Sequence, residues 1–180
     1  MNNTVPKTQN NPKIHDDMER IVNEYGDSLL RMCCLYMGSL QSAEDAVQET
    51  YIRAFRNIDK FRHQCSEKTW LTGIAINVCR SALRSEKVRL KYIFTPQDEL
   101  DFERIPQDEV SEIIYDDTVL REIYKLKPKY KEVILMYYYQ ELKVKEIAEI
   151  LGISESVVTV RLSRAREQLK PQLEDWYYDK

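Results

Sequence analysis

The sequence predicts an all-α protein that consists of two small helical domains joined by an acidic, flexible linker. Three observations support this fold class. Glycine and proline, which sheets need for their turns, number only 4 and 6 in 180 residues. Apolar residues recur at helical spacing over most of the chain. Acidic residues are concentrated in one central stretch, residues 98–117, where nine carboxylates accompany a single arginine.

The first domain is predicted over residues 13–91, after a polar lead-in over residues 1–12 that we expect to be disordered. Its first helix carries an apolar stripe at intervals of three or four residues and ends near Gly38. The stripe consists of Ile14, Met18, Ile21, Tyr25, Leu29, Met32 and Tyr36. This pattern indicates one long amphipathic helix.

Two further helices complete this domain. The second is predicted to begin at the N-cap Ser42, with Asp45 in the capping-box position. Its buried stripe is predicted to be Val47, Tyr51, Ala54 and Ile58. The third is predicted to begin near Ser66 or Lys68 and to continue to about Lys91. Its buried face is predicted to be Leu71, Ile74, Ala75, Val78 and Ala82. Three helices of this size can bury one core.

The second domain is predicted over residues 111–178 and contains four helices. The linker before it, residues 92–110, has two prolines and no sustained period. The first two helices are placed at about residues 111–126 and 129–139. Pro128 lies where one helix must stop and the next can begin.

A helix-turn-helix is predicted from the stretch IAEILGISESVVTVRLSRAR, residues 147–166. Gly152 suits a left-handed C-cap, and Ser154 is a natural N-cap for the second helix. The buried stripe of that helix is Val158, Leu162, Ala165 and Leu169. Its exposed face carries Ser156, Thr159, Val160, Ser163 and Arg164. These side chains are sized for a DNA major groove. An ordinary helical hairpin with a solvated basic face is the alternative.

Charge is distributed unevenly although the formal net charge is only −3. Residues 80–91 carry five basic side chains and one acid, and residues 161–170 are basic again. The first set is Arg80, Arg84, Lys87, Arg89 and Lys91. Two basic helices on either side of an acidic connector predict two surfaces that face a polyanion.

Several classes of protein are disfavoured by the sequence. No apolar run approaches the roughly 18 residues of a membrane span, and the polar N-terminus does not resemble a signal peptide, so we expect a cytoplasmic protein. The four cysteines, Cys33, Cys34, Cys65 and Cys79, contain no CxxC pair, which favours buried free thiols over a metal or redox site. No nucleophile–base pair or phosphate loop is apparent, so we expect no enzyme activity, no cofactor and no small-molecule substrate.

Two motifs carry a resemblance to a known family. The stretch AEDAVQETYIRAFRNIDKFRHQCSEKTWLTGIAINVCRSALR, residues 43–84, resembles the promoter-melting domain of sigma-70 family sigma factors, and is most similar to the extracytoplasmic-function (ECF) class. The residues that match are Asp45, Gln48, Glu49, Trp70, Leu71, Ile74, Ala75, Asn77 and Arg84. The stretch LKPKYKEVILMYYYQELKVKEIAEILGISESVVTVRLSRAR is similar to region four of the same family. The two motifs occur in the order and at the separation that the family has.

The resemblance implies roles for the first domain. The face formed by Asp45, Gln48 and Glu49 would dock on the coiled coil of the largest subunit of RNA polymerase, whereas taken alone it would be a solvated helix surface. The loop 62–68 and the helix from Trp70 would hold a base flipped out of the melted −10 element. The residues expected to contact −10 DNA are Arg62, His63, Gln64, Ser66, Lys68, Asn77, Arg80, Arg84 and Arg89. Trp70 could serve packing rather than stacking, and Asn77 could be a surface amide.

The resemblance also implies −35 recognition by the second domain. The expected contacts are Ser154, Ser156, Thr159, Val160, Ser163 and Arg164. Thr159 stands where the family often has a basic residue, and Val160 stands where it often has serine, so the base contacts could differ or could depend on DNA shape. Gly73 is predicted to lie in the middle of the third helix, where glycine has a low helix propensity. A close backbone approach could account for this glycine.

The function predicted from these motifs is that of an alternative sigma factor in a stress response. Its partners would be core RNA polymerase, through the coiled coil and the flap, promoter DNA, and an anti-sigma factor that the family implies; membrane insertion is not expected. A stand-alone helix-turn-helix regulator of duplex DNA is the alternative. That alternative leaves the face at residues 45–49 and the 62–77 region without a purpose.

Overall fold

A computed structural model describes residues 12–93 and 118–178, with side chains over residues 14–85 and 121–171. The described ranges contain seven α-helices, and the predicted all-α fold is confirmed in them. The helices are α1 (Pro12–Met37), α2 (Leu40–Asn57), α3 (Glu67–Ile93), α4 (Thr118–Lys125), α5 (Pro128–Ile134), α6 (Val144–Leu151) and α7 (Glu155–Tyr178). The predicted lead-in, the linker from residue 94 and the expected helical residues 111–117 lie outside the described residues.

The first three helices form a bundle in which α1 packs on both α2 and α3. The predicted stripe of α1 is buried, apart from Tyr25, which is partly buried against the core. Cys33 of α1 and Cys79 of α3 are both buried, with their sulfur atoms 3.7 Å apart. The contact with Cys79 and burial raise the pKa of the Cys33 thiol, which disfavours its reactive thiolate.

The start and the buried stripe of α2 differ from the prediction. The N-cap is Ser39, not Ser42, because the Ser39 hydroxyl accepts a hydrogen bond of 3.3 Å from the Ser42 backbone N–H. The fully buried residues are Ala43, Ala46, Thr50 and Ala54. Val47, Tyr51 and Ile58 are only partly buried at the edge of the core. Small side chains form the contact of α2 with α1 and α3, because they let the helix axes approach closely.

The second unit begins its described part with α4, and Pro128 occupies the first turn of α5 as predicted. A single π-helical segment, Leu135–Tyr139, continues α5, and the Gln140 N–H donates to the Leu135 carbonyl at 3.0 Å. Glu141 then adopts a left-handed φ of 55°. This turn redirects the chain into the helix-turn-helix.

The helix-turn-helix is formed by α6 and α7. Gly152 has a φ of 64°, as predicted for a left-handed C-cap. The Ser154 hydroxyl accepts a 3.4 Å hydrogen bond from the Val157 N–H at the start of α7. The predicted stripe of α7 is buried. We conclude that the two helices cross over an apolar contact, as this motif requires.

The two helical units pack against each other, which the sequence did not predict. Gly38 at the end of α1 faces the ring of Tyr124 in α4, and α3 lies against α6. The side-chain amide of Gln140, which is buried, donates a 3.0 Å hydrogen bond to the Ser28 carbonyl of α1. The amide oxygen of Gln140 has no hydrogen-bond partner among the described residues.

Gly73, which is in α3, faces the Ile150 side chain of α6. A Cβ atom at Gly73 would lie 3.5 Å from Ile150, an ordinary van der Waals contact. The close backbone approach considered from the sequence is therefore not what this glycine provides here.

Lys131 of α5 is 8% exposed and lies over the Tyr124 ring at 4.1 Å. Burial lowers its pKa to about 8.

Replacement of two glycines by alanine should change stability in opposite directions. Gly152→Ala should lower the free energy of unfolding by roughly 1–2 kcal/mol, because alanine is strained at positive φ although nothing lies within 4 Å of the new Cβ. Gly73→Ala should raise it by up to about 1 kcal/mol through helix propensity. Urea unfolding of the full chain measures both. If both variants changed the free energy of unfolding in the same direction, this account would be contradicted.

The buried ammonium of Lys131 should make stability depend on pH. Because its pKa in the folded protein is lowered to about 8, the unfolded chain binds more protons above that pH, and stability should rise with pH from about 8 toward 10.5. Below pH 8 the full cost of burying the charge remains. Lys131→Met should therefore be more stable than wild type at pH 7, by on the order of 2 kcal/mol, and lose this advantage by pH 10. Exposed Lys129→Met is the control, and a pH-independent difference would be the contrary result.

Candidate nucleic-acid interface

The exposed face of α7 and its N-cap Ser154 present the side chains that were predicted to read −35 DNA. All six predicted residues are exposed. They are Ser154, Ser156, Thr159, Val160, Ser163 and Arg164. None of them takes part in the contact with the first helical unit through a described hydrogen bond or ion pair. The face is therefore open to a duplex in this arrangement.

Hydroxyl groups on this face bond within their own segment. The Thr159 hydroxyl donates to the Glu155 carbonyl at 2.9 Å, and the hydroxyls of Ser154 and Ser156 are 2.9 Å apart. Arg164 differs from these hydroxyls, because its guanidinium acts on Tyr130 of α5 and lowers the pKa of that tyrosine.

An open cleft of about 380 Å³ lies on the first helical unit. Its lining combines two amides, two cations and two aromatic rings with one aliphatic side chain. The lining residues are Arg53, Asn57, Lys60, Phe61, Trp70, Ile74 and Asn77. Phe61 and Trp70 are stacked, with ring centroids 4.7 Å apart and planes inclined by 19°. Such a cleft can accept a flat, hydrogen-bonding group such as an unstacked base.

One wall of this cleft was missed from the sequence. The predicted −10 pocket combined the loop 62–68 with the helix from Trp70. The cleft shares Trp70 and Asn77 with that prediction, but its other lining residues include the end of α2 and the 3₁₀ turn Ile58–Lys60 and none from the loop 62–68. Arg62, His63 and Gln64 are exposed outside it, although the His63 ring contacts Phe61 at 4.5 Å. The sequence signal that could have identified this wall is the polar and basic spacing of Arg53, Asn57 and Lys60.

Three residues expected at −10 DNA are engaged in other contacts. Ser66 caps α3, since its hydroxyl accepts a 3.0 Å hydrogen bond from the Thr69 N–H. Lys68 lies 3.7 Å from the Glu141 carboxylate. Arg80 is bound by Glu132. Arg84 is exposed, and the side chain of Arg89 lies outside the described residues.

Glu132 joins the two helical units. Its carboxylate is 3% exposed and accepts hydrogen bonds of 3.0 and 2.9 Å from the Arg80 guanidinium, on α3. Arg161 of α7 donates a third at 3.0 Å, and the Tyr36 hydroxyl of α1 lies 3.4 Å away. Burial and the nearby carboxylate raise the pKa of Tyr36 to about 12. Glu132 is therefore a bridge between the units, held by two arginines and one tyrosine, and we call this set the Glu132 clamp.

A second polar contact lies at the start of α3. The Thr69 hydroxyl donates to the Glu146 carboxylate of α6 at 2.6 Å, and the Lys143 N–H donates to the same carboxylate at 2.9 Å. Burial would raise the pKa of Glu146, but these hydrogen bonds lower it overall. α6 is thus fixed over the first turn of α3, beside the loop that was predicted to contact DNA.

The predicted polymerase-binding face lies on α2. Asp45 and Gln48 are exposed, and Glu49 is 40% exposed with a 2.6 Å ion pair to Arg53. Ile52, one turn further along the same face, is 44% exposed. Glu49 therefore orients Arg53, which also lines the cleft. The exposed Ile52 was not identified from the sequence.

The described residues contain no group of three or more histidine, cysteine or acidic side chains arranged to hold a metal ion. In that same part of the chain, no helix is both long enough and apolar enough to cross a membrane.

Comparison with known proteins gives two family matches. The family described as Sigma-70 region 2 matches residues 21–89, and that described as Sigma-70, region 4 matches residues 117–169. The first covers α1 to α3 with the cleft, and the second covers α4 to α7 with the helix-turn-helix.

Similar proteins agree with these matches. The chain is 34% identical over 177 residues to the ECF RNA polymerase sigma factor SigW of Bacillus subtilis, covering 89% of this chain and 90% of SigW. It is 30% identical to the RNA polymerase sigma factor YlaC of the same organism, covering 89% and 94%. The co-crystal structure of the sigma factor RpoE with the anti-sigma factor NepR from Bartonella quintana shares the fold, with a TM-score of 0.68, 20% identity, and coverage of 88% of this chain and 98% of RpoE.

The order of the two matched regions, their coverage and the identity to SigW lead to one conclusion. The chain belongs to the ECF class of sigma-70 family RNA polymerase sigma factors.

Proposed function

We propose that the chain is an alternative sigma factor whose two helical units bind the −35 and −10 promoter elements when core RNA polymerase is bound. The observation that carries this proposal is that one chain presents both an open recognition helix and a cleft suited to an unstacked base. As a binding subunit it would have no enzyme activity of its own, and it would act in the cytoplasm with the polymerase.

The cleft would hold a −10 base. Asn57 and Asn77 can hydrogen-bond a base edge, and Trp70 with Phe61 offers an aromatic surface. Arg53 and Lys60 supply positive charge for the adjacent phosphates. Extrusion of a base costs a few kcal/mol, and these contacts would offset that cost. Melting would then follow from preferential binding to the opened strand.

The first helical unit would also bind the polymerase. Asp45 and Gln48 are free of described side-chain bonds and project from α2, so they can meet a basic partner helix such as a coiled coil. Ile52 would add an apolar contact at the same face. α7 would bind the −35 duplex through its N-terminal half.

The two units must separate for both contacts to form at once. The −35 and −10 elements lie roughly 25 base pairs apart, about 85 Å along the duplex. Two touching domains of this size, each about 30 Å across, span only about 60 Å. Opening would release Arg80 from Glu132 and leave it available for DNA phosphates. The packed arrangement would therefore be a resting form.

An anti-sigma factor would hold the chain in a resting form, and release in response to stress would activate it. RpoE, which shares the fold, was crystallised with the anti-sigma factor NepR.

The proposed sigma-factor function is tested by run-off transcription with purified chain, core polymerase and a genomic promoter library. Absence of core binding and of any directed start site would contradict it. A stand-alone regulator would instead bind duplex DNA without the polymerase.

Removal of the polymerase-binding side chains should affect only the contact with core polymerase. Asp45→Ala combined with Gln48→Ala should weaken binding to core polymerase roughly tenfold, since two exposed polar contacts are worth about 1.4 kcal/mol together. Competition against labelled wild-type chain measures this. Glu19→Ala, at an exposed carboxylate of α1, is the control, and equal effects of both changes would contradict the assignment.

Arg164→Ala should show the reverse pattern. Binding to core polymerase should stay normal, whereas −35 promoter binding by the holoenzyme should fall by about 5-fold to 150-fold, as for loss of one base or phosphate contact of about 1–3 kcal/mol. Loss of core binding in this variant would show that the two surfaces do not act separately.

Neutralisation of Glu132 should open the free chain. Glu132→Gln retains the shape but leaves Arg80 and Arg161 without a counter-charge, which we expect to weaken the contact between the units by about 1–3 kcal/mol. Small-angle scattering should show a larger radius of gyration. Glu122→Gln is the matched control, because Glu122 pairs only with Lys125 within α4 among the described ion pairs. An unchanged radius for Glu132→Gln would contradict the role of the clamp.

A further inference from the structure

Val160 lies on the side of α7 opposite its buried stripe. It lies about 160° around the helix from the buried residues Val158 and Leu162. It is 48% exposed, and Val157, one turn earlier, is 39% exposed. A single exposed apolar residue is ordinary on a protein surface. Two such neighbours in the first two turns of a recognition helix instead give its exposed surface an apolar character.

Polar groups around Val160 are already bonded within the chain. The Thr159 hydroxyl donates to the Glu155 carbonyl, and the Ser163 hydroxyl donates to the Glu167 carboxylate at 3.3 Å. The hydroxyl of Ser156 lies 2.9 Å from that of Ser154. The methyl groups of Val160 and Val157, by contrast, are exposed to solvent and remain available for a contact.

The flanking charge indicates which partner covers these methyl groups. Arg164 lies one turn beyond Val160 on the same face, is exposed, and can meet a phosphate or a guanine edge. The major groove of DNA presents one apolar group among its base edges, the C5-methyl of thymine. An apolar centre beside a cation therefore matches a thymine within a duplex.

We propose that Val160, assisted by Val157, determines −35 specificity by contacting the C5-methyl group of a thymine. The proposal rests on the function proposed above, in which α7 lies in the major groove at the −35 element. In this proposal Val160 recognises a base through a contact between methyl groups, whereas a serine at the same position would recognise a base through its hydroxyl.

The test uses deoxyuridine, which lacks the C5-methyl group and keeps every hydrogen-bonding atom of thymine. Holoenzyme is reconstituted from the full chain and core polymerase, and a tight-binding promoter is selected from a library with a randomised −35 region. Each thymine of that region, on both strands, is then replaced singly by deoxyuridine. We expect one replacement to weaken wild-type binding roughly fourfold, the effect of one buried methyl group.

Val160→Ala should bind the thymine and deoxyuridine promoters equally at that position. Alanine is the stronger helix former, so the exposed substitution should leave α7 folded. Val22→Ala is the matched control, because Val22 is 40% exposed on α1, away from both DNA surfaces. This variant should keep the fourfold discrimination.

Two results would overturn the inference while leaving the proposed function intact. In the first, wild-type holoenzyme binds thymine and deoxyuridine promoters equally at every position. In the second, Val160→Ala keeps the discrimination of the wild type. Failure of the holoenzyme to select any promoter would instead overturn the proposed function, and the inference with it.

Discussion

The Glu132 clamp is the interaction on which the arrangement of the two helical units depends. A carboxylate that is 3% exposed must be neutralised, and the guanidinium groups of Arg80 and Arg161 do so from opposite units. α5, α3 and α7 therefore meet at this one side chain. The charges also make the contact specific, since an apolar surface of the same area would tolerate sliding.

A buried ionic contact between domains is well suited to a reversible association. The Coulomb attraction within the clamp is largely offset by the cost of desolvating its charges, so the net stability it adds is modest. Arg80 would be readily hydrated, or paired with phosphate, once the units separate, whereas Arg161 lies in the same unit as Glu132. In the proposed DNA-bound form, Arg80 would exchange the Glu132 carboxylate for a DNA phosphate.

Local features of the fold could be predicted from the sequence because local physics determines them. Gly152 adopts the left-handed conformation, Pro128 starts a helix, and the α7 stripe is buried. The start of α2 was placed at Ser42 instead of Ser39 because both serines fit a capping pattern, and only the backbone geometry decides between them. Lys131 is a charged residue whose burial no periodicity could reveal, since its environment comes from tertiary packing.

In the candidate site, too, features set by local sequence could be predicted and features set by tertiary packing could not. The exposed face of α7 follows from helical periodicity, and five of the six proposed residues are exposed on this helix, with Ser154 exposed at its N-cap. The cleft does not follow in the same way, because Arg53, Asn57 and Lys60 lie on α2 and the turn after it, and only the packing of α2 on α3 brings them to Trp70 and Asn77. Contacts between residues far apart in the chain, such as Arg80 with Glu132, require knowledge of how the units pack.

Gln140 shows that the packed form encloses polar groups that an open form would expose. Its side chain is 1% exposed, and its amide group donates a 3.0 Å hydrogen bond to the Ser28 carbonyl across the boundary between the units. Opening would exchange this hydrogen bond for hydrogen bonds to water, so its net contribution to the packed form is small, about 0.5–1.5 kcal/mol. A partner that binds the open form better can then shift the population toward the open chain.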